Sequence, residues 1–203
     1  MNLLRVALDT ETWFGEFIHI GIQVVIWQKM KAVVNKYFTD TKFHKQAVAN
    51  TNDTTGRILY CLWASTQHSF TLFMSLIGYY SGNSALFRIG VTSEIAFTLI
   101  DSHSFIQTWK QRMEKDKILF IAVLFHHACD ALSLVPMNIY IGDNIKYQRF
   151  VISMMAQLPF QCVLWIVTVT RNKNDLKERA QFAVVIFISI LYFVYWRFYD
   201  APY

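Results

Sequence analysis

Ile118–Ile141 reads ILFIAVLFHHACDALSLVPMNIYI, and this stretch decides the fold class. It exceeds the roughly 20 apolar residues that a helix needs to cross the hydrocarbon of a bilayer. Its ionisable side chains are His126, His127 and Asp130. It is too long for a strand and lacks the strict alternation of a membrane barrel. A helix satisfies its own backbone groups in hydrocarbon, so the stretch predicts a membrane-spanning helix.

Working outward, apolar runs bounded by charge predict five further spans: Phe14–Gln28, Ile58–Tyr80, Phe87–Trp109, Phe150–Thr170 and Phe182–Phe198. The first is the weakest, being short and interrupted by Glu16, His19 and Gln23. Six spans would take about 120 residues and leave almost no room for a soluble domain in a chain of 203. The expectation is therefore one all-α transmembrane domain over 1–203, a bundle of about six helices. Composition agrees. Apolar residues make up 54% and charged residues 16%, against about 25% charged in soluble domains. Mean hydropathy is +0.28. Low charge with 16% aromatics excludes disorder.

Three cysteines, Cys61, Cys129 and Cys162, sit in apolar stretches and read as small core residues rather than a disulfide framework. No cleavable targeting segment is evident between Met1 and Trp13. The net charge of +5 is spread over connections, not gathered on one soluble face, so no nucleic-acid partner is expected.

The basic residues alternate. Lys29, Lys31, Lys36, Lys42, Lys45 and Arg57 follow the first span; Lys110, Arg112, Lys115 and Lys117 separate the third from the fourth; Arg171, Lys173, Lys177 and Arg179 separate the fifth from the sixth. Arg5, Arg88, Lys146, Arg149 and Arg197 divide among the termini and the other two connections. The positive-inside tendency places the three basic connections on the cytosolic or matrix side and both termini opposite. The sequon Asn52-Asp53-Thr54 falls in the most basic connection and is expected to stay unmodified. Trp13, Trp27, Trp109, Trp196 and Tyr199 stand near span ends, as an aromatic belt would.

An ionisable group at membrane depth is costly unless it faces the bundle interior, a cavity or a partner. Ser65 and His68 fall in the second span, Glu94, Asp101 and His103 in the third, and Gln157 beside Pro159 in the fifth. Glu94 and Asp101 are seven apart and share a helix face; His126 and Asp130 are four apart and share another, with His127 about 100° around. Convergence of these faces would join imidazoles to carboxylates. Three uses stay open: an acid/base pair, a zinc or iron site, or a hydrogen-bond network fixing helix register. No GxSxG, phosphate-binding glycine loop, HExxH or CxxC occurs. Pro136 and Pro159 interrupt two spans.

In their order these pieces resemble the TLC domain family of ceramide synthases and related membrane proteins. The resemblance runs from Ser65-Thr66-Gln67-His68 through Asp101 and His126-His127 to Leu158-Pro159-Phe160, covering roughly 57–170. It implies a six-helix bundle around a lipid-accessible cavity, with His126, His127 and Asp101 catalytic if the chain is an enzyme. His68, Ser65, Asp130, Glu94 and Gln157 would then contact lipid. It implies acyl transfer, with acyl-CoA as co-substrate only in that case, and otherwise no cofactor and no metal. Two features depart from the synthases. Their acidic motif after the histidine pair has no counterpart around Ser153–Gln157, and the basic alternation puts the C-terminus on the opposite side. The expected function is lipid handling, with membrane lipids as partners and the endoplasmic reticulum as location. The alternative is a non-catalytic accessory subunit of a larger membrane complex, with the mitochondrial inner membrane as the alternative location. A transporter ranks lower, because no inverted repeat is visible.

Overall fold

The computed structural model describes residues 9–51, 56–171 and 174–195. The sequon, Arg5, Lys173, Arg197, Trp196, Tyr199 and the end of the sixth expected span lie outside them. The described chain is all-α, with α1 at Trp13–Phe38, α2 at Lys42–Thr51, α3 at Arg57–Ser81 and α4 at Ser84–Gln107. α5 covers Trp109–Ile141, α6 Ile145–Met155, α7 Gln157–Thr170 and α8 Leu176–Val194.

Among the described residues three stretches are long and apolar enough to cross a membrane: Trp13–Phe38, Lys117–Ile141 and Ile145–Thr168. The first expected span is thus longer than its sequence run, because α1 continues through Lys29, Lys31 and Lys36. The basic connection expected between the third and fourth spans is likewise helical. Thr108 alone separates α4 from α5, and Lys110–Lys117 form the first turns of α5. Pro136 lies inside α5 without ending it. Pro159 is the third residue of α7, where a helix-start amide would lack an intrahelical partner anyway.

Cα packing divides the chain into two units, one of Met1–Gln28 with Phe73–Gln148 and the other of Lys29–Leu72 with Arg149–Tyr203. In the first unit α4 is the buried helix, with Phe87, Val91, Ile95, Glu94 and Asp101 among its inward residues. The chain enters α4 through a tight turn. Gly82 takes φ +67, and Asn83 N–H donates to Gly78 O at 2.9 Å, which closes α3. Asn83 Oδ1 then accepts the Leu86 amide at 3.2 Å and caps α4. A Cβ on Gly78 would collide with the backbone nitrogen of Phe87, so only glycine permits this approach. α4 and α5 run antiparallel, with Phe105 and Phe120 stacked at 6.4 Å.

In the second unit α7 and α8 pack through stacked Phe160 and Tyr192 at 4.6 Å. Arg171 lies 3.6 Å over the Phe182 ring. No described residue of α8 is buried.

Polar side chains are buried alongside the apolar core, and large apolar ones are exposed. Glu16, Gln67, Thr71, Ser75, Thr92, Asn138 and Ser153 are fully buried, whereas Phe125 is 71% exposed and Leu132 77%. Large apolar side chains directed outward are expected where the surroundings are lipid.

Candidate functional site

The site is built on the α4–α5 pair of the first unit. Asp101 and Ser102 are consecutive, near the end of α4, and His127 faces them from α5. His127 Nδ1 lies 3.0 Å from Ser102 Oγ, and His127 Nε2 lies 3.6 Å from Asp101 Oδ2. Both side chains of the ion pair are enclosed, at 12% exposure for His127 and 6% for Asp101. The Phe105 ring meets the imidazole edge-on at 6.2 Å and fixes its plane. In the tautomer that carries its proton on Nε2, the side nearer Asp101, the ring would offer Nδ1 to the Ser102 hydroxyl as an acceptor. That is the order of groups used to activate a hydroxyl.

His126 is placed differently. Its side chain is 69% exposed, and Nε2 pairs with Asp130 Oδ2 at 3.3 Å, one turn along the same helix. Adjacent residues on a helix point about 100° apart, so the two histidines cannot share one inward face. The structure brings together His127, Asp101 and Ser102; the shared face of His126 and Asp130 points outward. His103 is exposed and pairs with Gln107 at 3.4 Å on its own helix. Glu94 is buried on α4, as its seven-residue spacing from Asp101 requires.

The remaining expected residues belong to the second unit. His68 is buried, Ser65 half-buried, and Gln67 Nε2 donates to Thr71 Oγ1 at 2.9 Å. Gln157 is buried and donates to Ser153 O at 3.2 Å, one turn back along the chain.

No family model matches the chain, and neither a curated protein nor a solved structure matches it.

Two features went unnoticed in the sequence. Ser102 was hidden because serine is ordinary in apolar helices and carries no charge to mark it. The second feature is a polar network. Asn138 Nδ2 donates to Glu16 Oε1 at 2.8 Å, and Thr92 Oγ1 lies 3.3 Å from the same oxygen. Arg88, only 2% exposed, pairs with Glu11 and with Asp143, each at 3.2 Å. Glu16 and Arg88 carried the signal, as charges within or beside apolar runs.

Two smaller expectations are corrected. Trp27 is 4% exposed and donates to Ser93 Oγ at 2.8 Å, so it is a core residue and not part of a belt. Cys129 is exposed, on the same helix as exposed Phe125 and Leu132, and is not a core residue; Cys61 and Cys162 are half-buried. Among the described residues no three His, Cys, Asp or Glu side chains are grouped to hold a metal ion.

Proposed function

We propose that the chain is a membrane-embedded lipid-handling protein of TLC type. In this reading His127 acts as the base on a hydroxyl or amine, while Asp101 orients it. The observation that carries it is the enclosed His127, held between a carboxylate and a hydroxyl on the α4–α5 pair. In hydrocarbon such a group is retained at a cost. A base that removes a proton from an acyl acceptor is the usual work of an oriented imidazole. Ser102 is either that acceptor's stand-in or itself an acyl carrier. In the second case its oxygen would bond to the acyl carbon of acyl-CoA as the thioester C–S bond breaks, and the serine proton would pass to Nδ1 and from there to the departing CoA thiolate. Acyl-CoA would be the donor, and the endoplasmic reticulum the compartment.

A second reading is favoured by the Glu16–Asn138–Thr92 network and the Arg88 pairs: a non-catalytic accessory subunit whose polar groups lock helices together. One experiment separates the two. The protein is purified in mild detergent, its lipids are extracted, and transfer from labelled acyl-CoA to a sphingoid amine is assayed. A stoichiometric acyl lipid or transfer, lost in a folded His127→Ala variant, supports lipid handling. Neither lipid nor transfer, with co-purification of a larger complex, supports the accessory subunit.

A further inference from the structure

α1 ends at Phe38, and after the turn at Thr39–Thr41 the chain enters α2. Thr41 Oγ1 accepts the His44 amide at 3.2 Å and starts the helix. The inner face of α2 is apolar: Ala47 is fully buried against Ile58, with Phe43 and Val48 packed around them. One edge is tied to the end of α7. Gln46 Nε2 donates to Thr170 O at 2.8 Å, and Asn50 Nδ2 donates to Arg171 O at 3.2 Å. Carbonyls at a helix end have no intrahelical partner, so these bonds fix α2 where Ile145–Thr168 ends. Its covalent connection fixes it equally where Trp13–Phe38 ends. Two candidate spans therefore stop at one small basic helix.

Lys36, Lys42 and Lys45 are exposed there, as are Lys177 and Arg179 in the first turn of α8, the helix that follows α7. The acidic side chains nearby in sequence are Asp40, Asp175 and Glu178, and Asp175 caps α8 by accepting the Lys177 amide at 2.8 Å. Tyr37 and Phe38 are exposed beside the lysines. An apolar inner face, cationic exposed residues and flanking aromatics at span ends are the features of an interfacial helix.

We infer that α2 and the start of α8 form a binding surface for anionic lipid headgroups, engaging phosphate through Lys42, Lys45, Lys177 and Arg179. The occupant follows from charge and position: headgroups are the anions held at the level where spans end. This surface does not rest on the histidine site. The test uses the full chain reconstituted in phosphatidylcholine bilayers, with spin-labelled phosphatidylglycerol or phosphatidylcholine as probe. Phosphatidylglycerol should be preferred, and each lysine removed should lower the preference roughly fivefold. K42Q/K45Q and K177Q/R179Q, on different helices, should both lose it, while K146Q in the other unit keeps it. Equal association of both lipids, an unchanged preference in either double variant, equal loss in K146Q, or displacement by inorganic phosphate would each overturn the surface.

Discussion

At the scale of the residue, two adjacent histidines have different surroundings and should have different consequences. His126 pairs with Asp130 at the surface, and exposed ion pairs contribute about 0–1 kcal/mol. His126→Ala should therefore leave thermal stability in detergent and any bound lipid nearly unchanged. His127→Ala removes a partner of enclosed Asp101 and of Ser102, and losing a contact of this kind costs about 0.5–1.5 kcal/mol. The same change should abolish lipid retention or transfer; equal effects from both variants would contradict the geometry. The pair His126-His127 was legible in the sequence as a candidate, but its division was not. Which imidazole turns inward depends on where α4 packs on α5, and helix spacing alone leaves that phase free. Asn138 gives a sharper structural test. It bonds fully buried Glu16, so Asn138→Leu should destabilise by about 3 kcal/mol, read as a lowered unfolding midpoint.

At the scale of the element, the turn between α3 and α4 is the most constrained joint. Because a Cβ at Gly78 would meet the backbone of Phe87 and not a flexible side-chain tip, Gly78→Ala must push the helices apart. A loss of about 1–3 kcal/mol is expected from such overpacking, measured by chemical unfolding followed through helicity. Gly82→Ala should also destabilise, because its φ is +67. An unchanged midpoint in Gly78→Ala would show that the two helices do not approach as described. Elements of this kind were legible where apolar length decides: Ile118–Ile141 lies within Lys117–Ile141 and Phe150–Thr170 overlaps Ile145–Thr168, both long and apolar enough to cross a membrane. Boundaries were less legible. Lys110–Lys117 looked like a loop because charge bounds apolar runs, but Lys, Arg, Gln and Glu are also good helix formers. α5 therefore begins at Trp109, directly after the α4 cap at Thr108. α3 and α4 hold Gln67, His68, Arg88, Glu94 and Asp101, and the same polar groups that mark them as candidate-site helices lower their apolar character as spans.

At the scale of the whole molecule, the alternation of basic residues makes the decisive prediction, and the helix ends of the second unit give the place to test it. Lys45 lies on α2, whose Gln46 and Asn50 hold the carbonyls at the end of α7; Lys177 follows in α8. Two connections separated by more than a hundred residues of chain are thereby tied to one place. With the 2.8 Å and 3.2 Å bonds kept in the bilayer, the connections after α1 and α7 are expected to face the same compartment. On the positive-inside tendency the expected side is the cytosolic or matrix one. In sealed vesicles of known orientation, with Cys61, Cys129 and Cys162 replaced by serine, single Lys45→Cys and Lys177→Cys variants should react with a membrane-impermeant maleimide from the same side. That side should be the cytosolic or matrix one. Labelling from opposite sides would require α2 to detach from α7. It would also undo the headgroup surface, which depends on both helices meeting the same leaflet, while leaving the His127–Asp101–Ser102 group to be judged by its own chemistry.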